Sequence, residues 1–147
     1  MNRSRNRRIR MTRDQLLSSP RLGILITQRS SGVMAGVPMG VPVWFQWDGG
    51  VLSCFASKTS AKIKRLQSDP RASLLVTNVV GEPEGWVAFD GRFEIHDEGG
   101  IQLAEQLSPL YWNLDDPAKR AELEGWKQVP HAFVRLTMRP ERIREGR

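Results

Sequence analysis

The residues with the clearest chemical potential lie between positions 55 and 66, where small hydroxyl side chains lead into a short basic segment. A strand-like run ends here, and Thr59 or Ser60 can cap the helix that follows. A hydroxyl, a lysine and the free N–H groups of a first helical turn suit a bound phosphate. Residues 58–71 hold five basic side chains and one acid, Asp69. The segment therefore predicts either an anion site or a capped surface helix with solvated lysines.

Other kinds of chemistry find little support in the sequence. The two histidines, His96 and His131, fall in different predicted strands, with neither a His-x-x-x-His motif nor a cysteine pair to make a metal site. We therefore expect no bound metal. Cys54 is the single cysteine, so no intrachain disulfide forms, which fits a reducing cytoplasm. No motif places a histidine to activate its thiol, and its alternation with Phe55 is typical of strand packing.

Motifs of the common hydrolases and nucleotide-binding enzymes are also missing. The sequence contains no Gly-x-Ser-x-Gly turn, no P-loop and no Gly-x-Gly-x-x-Gly after a strand. Its carboxylates are scattered, so no glycosidase pair can be identified.

The basic character of the chain belongs to its first residues. Six arginines within residues 1–13 carry the whole formal net charge of +6, which leaves 16 basic and 16 acidic side chains in the remainder. We expect residues 1–11 to be a disordered basic tail, or an extension before a true start at Met11. An arginine-rich arm can bind phosphate backbones without specificity, but the neutral body lacks the basic stripe of a nucleic-acid-binding protein.

The length of 147 residues suits one domain with one core. The longest apolar runs, such as residues 22–26, are far too short for a membrane helix of about 20 residues. No secretory signal is present, so we expect a cytoplasmic protein with no membrane partner.

The predicted elements are strands joined largely by hairpins, with a few short helices. Asp48-Gly49-Gly50 is a strong hairpin turn between two apolar runs, and the glycine-rich segment 31–40 predicts a turn. This order favours an antiparallel α+β barrel. The expected helices cover residues 12–18, 60–67, 101–110 and 118–126, and the expected strands cover 22–27, 41–47, 51–55, 72–80, 86–95 and 131–138.

An ordered set of short motifs points to a family. These are Pro42-Val43-Trp44-Phe45, Trp47-Asp48-Gly49-Gly50, Ser60-Ala61-Lys62, Asp69-Pro70-Arg71-Ala72, Gly91-Arg92-Phe93 and the closing Arg135 to Ile143 segment. Together they resemble the flavin and deazaflavin split β-barrel family that includes pyridoxamine 5′-phosphate oxidase, above all its small branch that uses coenzyme F420. The resemblance covers residues 12–143 as a single cofactor-binding domain and leaves 144–147 as a C-terminal tail.

The resemblance implies a homodimer with the cofactor at the interface. It also implies three sets of contacts: a segment along the ring system, a strand that follows the cofactor, and a phosphate end. The ring system would be lined by Val41, Pro42, Val43, Trp44 and Phe45. The strand that follows the cofactor holds Phe55, Ala56 and Ser57, and the phosphate would be held by Ser60 and Lys62.

Departures from the vitamin B6 oxidases bear on the cofactor and the reaction. Gly40, Phe45 and Ala61 stand where those enzymes carry cationic residues, so oxidation of pyridoxamine phosphate is not expected. The same losses favour the deazaflavin coenzyme F420 over FMN. Lys58, Lys64 and Arg65 would serve its longer anionic tail.

The activity implied by the resemblance is hydride transfer between the cofactor and an unknown small unsaturated substrate. The alternative is a non-catalytic protein that binds or stores FMN or coenzyme F420. A substrate pocket could be lined by Trp86, Tyr111 and Trp112, or these residues belong to the core. No catalytic acid or base is identified.

Overall fold

The computed structural model describes residues 10–147, so the expected tail falls mostly on residues 1–9, outside the described part of the chain. The four α-helices are α1 (Arg13–Leu17), α2 (Ala61–Ser68), α3 (Gly100–Tyr111) and α4 (Pro117–Gln128). The nine strands are β1 (Gly23–Gln28), β2 (Pro38–Val43), β3 (Gln46–Asp48), β4 (Val51–Ser57), β5 (Arg71–Thr77), β6 (Trp86–Arg92), β7 (Glu94–His96), β8 (Phe133–Met138) and β9 (Arg142–Gly146). None of these helices is long and apolar enough to cross a membrane.

The strands form two antiparallel sheets, as the sequence predicts. Sheet A has the order β2-β1-β5-β6-β9, and sheet B has the order β3-β4-β8-β7. Their inner faces share one core because side chains alternate along each strand. Sheet A contributes Leu25, Leu74, Val76, Val87 and Phe89, and sheet B contributes Leu52, Cys54, Val134, Leu136 and Met138.

Helices cover the two sheets unequally. Helix α2 adds Ile63 and Leu66 to the core, and α3 packs on the outer side of sheet B, against β4 and β8. Gly100 begins α3 so close to β8 that a Cβ atom there would lie 2.7 Å from the carbonyl oxygen of Val134. The outer side of sheet A instead carries half-buried apolar side chains such as Ile24, Ile26 and Leu75.

Two predicted strands were wrong in their continuity, for one reason. The expected strand 41–47 is broken after Val43, and the expected strand 86–95 is broken at Phe93. At each break the chain passes from sheet A to sheet B. Phe45 and Phe93 lie at these crossings with exposed fractions of 8% and 4%. An apolar run that stays buried across a crossing looks continuous in the sequence.

The ends of sheet A also differ from expectation. Strand β2 begins at Pro38, inside the predicted turn segment, because an edge strand tolerates proline. Strand β9 was not predicted. It extends to Gly146, beyond residue 143, the predicted end of the domain. Its apolar content is a single residue, Ile143, so it shows no strand-like pattern. Near the other terminus, the Met11 N–H donates to the Glu84 carbonyl at 2.9 Å.

Candidate functional site

A hydroxyl without a partner lies at the start of α2. Ser60 is the N-cap residue, yet its side chain makes no capping hydrogen bond. Its Oγ atom is buried and has no hydrogen-bond partner within residues 10–147. The nearby Thr59 hydroxyl is 3.2 Å from that of Ser57. A buried polar atom without a partner is costly, so this hydroxyl suits a ligand.

Lys62 places a positive charge in the first turn of the same helix. Burial lowers the pKa of its half-buried ammonium, and the charge of Arg65 lowers it further. No carboxylate in residues 10–147 lies within ion-pair distance of Lys62. The one acid expected nearby, Asp69, is bonded to Arg71 at 2.8 Å. The start of α2 therefore combines unneutralised positive charge with an unpaired hydroxyl, which fits an anion.

The other cations of this segment lie in different environments. Lys58 and Lys64 are exposed, as a contact to a long anionic tail would require. Arg65 differs from that expectation because it is 7% exposed and its Nε–H donates to the Thr27 hydroxyl at 2.8 Å.

Most side chains of the expected ring segment face the core. Val41 and Val43 pair with Leu25 and Gly23 across β1 and β2 and point inward. Pro42 is exposed on the outer side of sheet A, opposite Ile24. The side chains of Val41, Val43 and Phe45 are therefore occupied by core packing, and mainly their backbone groups can contact a ligand.

The strand expected to follow the cofactor alternates in the same way. Ala56 is 4% exposed and lies in the core. Phe55 and Ser57 are half-buried and point to the opposite side of β4, opposite Arg135 and Phe133 of β8.

Six half-buried aromatic residues form a cluster beside these positions. The Trp44 ring is stacked on Tyr111 with centroids 5.0 Å apart and an interplanar angle of 7°. The Trp44 ring also meets Trp112 edge-on at 4.7 Å and Phe55 at 5.8 Å. The aromatic cluster comprises Trp44, Phe55, Tyr111, Trp112, Trp126 and Phe133. Trp126 and Phe133 were not predicted here, and Trp86 lies elsewhere, on the outer side of sheet A.

The Tyr111 hydroxyl ties this cluster to the crossing between β2 and β3. It donates to the Arg21 carbonyl at 2.7 Å and accepts the Phe45 N–H at 3.3 Å. Burial raises the pKa of this phenol, so it remains a neutral donor at ordinary pH.

A groove of about 670 Å³ opens beside Trp44 and Tyr111. Its walls combine apolar side chains with one ion pair, in which Arg21 binds Glu82 through two hydrogen bonds of 2.5 and 2.7 Å. The Arg21 Nε–H is buried and has no partner in the described residues. Such a groove accepts a largely apolar molecule with a polar end. It is lined by residues including Leu22, Ile24, Trp44, Asn78, Leu110 and Tyr111.

The remaining candidates for chemistry are structural. Cys54 is 1% exposed, and burial raises the pKa of its thiol to about 12, so it is not an activated nucleophile. The His96 ring nitrogen lies 2.7 Å from the Thr137 hydroxyl, and His131 is exposed in a short 3-10 turn rather than in a strand. Residues 10–147 contain no cluster of acidic, histidine and cysteine side chains that would hold a metal.

Comparison with known proteins places this geometry in a family. The family model for pyridoxamine 5′-phosphate oxidase matches residues 12–145. A solved F420 reductase is similar at 22% identity with a TM-score of 0.70, over 92% of this chain and 98% of that one. No curated protein matches the chain.

Two further solved structures share the fold. A putative pyridoxamine 5′-phosphate oxidase from Listeria innocua is 19% identical with a TM-score of 0.60, over 88% of this chain and 91% of that one. An FAD-binding protein from Mesorhizobium loti is 21% identical with a TM-score of 0.55, over 89% and 88% of the two chains. The predicted split-barrel fold is confirmed.

Proposed function

Because the chain belongs to the pyridoxamine 5′-phosphate oxidase family, we propose that it binds a flavin-type cofactor and transfers hydride to a small unsaturated substrate. We favour coenzyme F420 as the cofactor and take FMN as the alternative. The observation that carries the proposal is the start of α2. Within residues 10–147, the buried Ser60 hydroxyl has no hydrogen-bond partner and Lys62 has no carboxylate within ion-pair distance. Similarity to an F420 reductase and to an FAD-binding protein supports the same class.

Ser60 and Lys62 would hold the phosphate end of the cofactor. A phosphate oxygen would give the Ser60 hydroxyl its missing partner and balance the half-buried ammonium of Lys62. Ser57 would contribute a second hydroxyl from the end of β4. The exposed Lys58 and Lys64 would attract the glutamate tail that distinguishes coenzyme F420 from FMN.

The segment from Val41 to Phe45 would line the ring system. Its inward side chains are committed to the core, so contacts would come from backbone groups, with Pro42 and Trp44 on accessible sides. Phe55 and Ala56 would continue this lining along β4. The bound cofactor supplies the hydride chemistry, and these residues orient it.

The groove beside Trp44 would receive the substrate. The stacked rings of Trp44 and Tyr111 present a rigid apolar surface that excludes water from a planar molecule. We assign no proton-transfer role to a side chain. Glu82 of this groove is held by Arg21, and the Tyr111 hydroxyl is held by two backbone groups. Oxidation of pyridoxamine phosphate is not proposed, because Gly40, Phe45 and Ala61 leave out the cations that such a substrate needs.

The protein would act as a homodimer that joins through sheet A. The outer side of that sheet carries half-buried Ile24, Ile26, Leu75 and Trp86. A hollow of about 380 Å³ between Ile26, Leu75 and Trp86 offers a place for a partner's side chain. Pro42 lies on this same side, so a second copy seated there would approach the ring segment.

Titration of the protein with each cofactor tests the proposal. We expect cofactor fluorescence to report saturable binding, tighter for coenzyme F420 than for FMN, and weaker for riboflavin, which lacks the phosphate. The Lys62→Met substitution should weaken the binding of phosphate-bearing cofactors by about 1.5–3 kcal/mol, as expected for the loss of a charge-assisted hydrogen bond. The matched control is Arg13→Met, which removes an exposed positive charge from α1, where no cofactor contact is proposed.

The outcomes separate the alternatives. If the Lys62→Met variant and the parent bind the cofactor with equal affinity, Lys62 does not hold the phosphate. Reduction of a substrate faster than by free reduced cofactor would establish an oxidoreductase, whereas tight binding without turnover across a substrate screen would favour a storage protein.

A further inference from the structure

Arg65 is a largely buried cation on α2. Its residue is 7% exposed, and within residues 10–147 no carboxylate lies within ion-pair distance of it. The one hydrogen bond of its side chain goes from Nε to the hydroxyl of Thr27, a β1 residue that is 2% exposed. A hydroxyl orients a guanidinium but does not neutralise it. The terminal nitrogens of Arg65, unlike the Ser60 hydroxyl, keep contact with solvent, so an anion can reach them.

The position of Arg65 on α2 relates it to the proposed phosphate site. Lys62 lies three residues earlier, and side chains at that spacing are neighbours on a helix surface. Long side chains on a helix tend to point back toward its N-terminus, for Arg65 toward the turn of Lys62. The two charges are close enough that Arg65 lowers the pKa of Lys62. That turn follows Ser60, whose buried hydroxyl has no partner.

We propose that Arg65 is a second cation of this site, held in place by Thr27, and that it binds a phosphoryl group together with Lys62. This assignment rests on the proposed function and deepens it. With Nε bonded to Thr27, the two terminal nitrogens of Arg65 retain four N–H donors. Their planar arrangement suits two oxygens of one phosphoryl group. The ligand class is a phosphate monoester or diester, the chemistry shared by FMN and coenzyme F420.

The test compares each cofactor with its phosphate-free counterpart. FMN is paired with riboflavin, and coenzyme F420 with the deazaflavin riboside that lacks the phospholactyl-glutamate tail. In the Arg65→Met variant we expect the affinity ratio within a pair to fall about tenfold or more. Thr27→Val removes the positioning hydroxyl with little change of shape, so we expect a smaller fall in the ratio. Because Thr27 acts through Arg65, Thr27→Val should add nothing to Arg65→Met. Arg13→Met, which removes an exposed positive charge from α1, is the control. The cofactor pair that shows the larger ratio identifies the phosphate source.

An unchanged ratio in a folded Arg65→Met variant would overturn the role of Arg65 while leaving the Lys62 result, and with it the proposed function, intact. Should Arg65→Met fail to fold, Arg65→Lys and Thr27→Val supply the same comparison, and unchanged ratios in both would overturn the role.

If the parent protein binds none of the cofactors, the proposed function fails, and inorganic phosphate becomes the probe, followed by phosphorus NMR. Phosphate binding that Arg65→Met abolishes would support the inference independently of the cofactor. The absence of phosphate binding by the parent would overturn it.

Discussion

The ion pair between Arg21 and Glu82 makes the stability of this protein depend on pH. The hydrogen bonds from Arg21, and then the Val79 N–H, lower the pKa of Glu82 from 4.5 to about 2. A carboxylate with a lowered pKa stabilises the fold fully above its unfolded pKa and loses that contribution as the pH falls through its folded pKa. The Glu82→Gln variant should therefore be less stable than the parent at pH 7, and the difference should shrink between about pH 4.5 and 2.

Urea unfolding at several pH values measures this prediction. The control is Glu84→Gln, an exposed neighbour in the same loop whose side chain makes no hydrogen bond within residues 10–147. A stability difference for Glu82→Gln that stays constant from pH 7 to pH 2 would show that the ionised pair contributes nothing.

Single residues differ in how far the sequence predicts their environment. The hydroxyl and lysine at a helix start are local features, so spacing and resemblance predict Ser60 and Lys62 as a phosphate site. Arg65 was grouped with Lys58 and Lys64 because composition does not reveal burial. The signal that was available is its place between Ile63 and Leu66, on the apolar face of α2. Its partner Thr27 lies 38 residues away, a distance that no local pattern spans.

At the scale of elements, the crossing from β2 to β3 is held by a residue of α3. Tyr111 bonds the Phe45 N–H and the Arg21 carbonyl and stacks on Trp44. Tyr111→Phe keeps the stacked ring and removes the hydroxyl, so we expect a loss of about 1 kcal/mol in unfolding free energy. Amide hydrogen exchange at Phe45 should become faster.

The comparison variant is Tyr111→Leu, which also removes the stacking on Trp44. It should lower the unfolding free energy by more than Tyr111→Phe does. The same stability for Tyr111→Phe and the parent would mean that the core alone holds the crossing.

The elements themselves were largely predictable, and their assignment to sheets was not. Strands β1, β4, β5 and β8 and the helices follow apolar periods and turn residues, which are local signals. The breaks near Phe45 and at Phe93 depend on which sheet each half joins, which long-range pairing decides. Strand β9 forms because β6 offers an open edge rather than because of its own sequence.

At the scale of the whole molecule, the uncovered side of sheet A predicts the assembly. Ile26→Glu places a charge in the middle of this apolar surface, so it should convert the proposed dimer to a monomer in analytical ultracentrifugation. If the cofactor lies at the interface, cofactor affinity should fall in the same variant.

Gln102→Glu introduces the same charge on exposed α3, outside this surface, and should leave the dimer intact. A monomeric parent, or a dimeric Ile26→Glu variant with unchanged thermal unfolding, would contradict assembly through sheet A.

The pairing of β4 with β8 determines when sheet B can form during synthesis of the chain. Leu52 lies opposite Met138 and Ser57 opposite Phe133, so sheet B gains its central ladder only when residue 138 has left the ribosome. Such distant pairing makes folding slow. Until then β4 pairs with β3 alone and its other edge has no partner strand, which exposes its apolar residues to aggregation. Closure of sheet B must therefore wait until β8 has been synthesised.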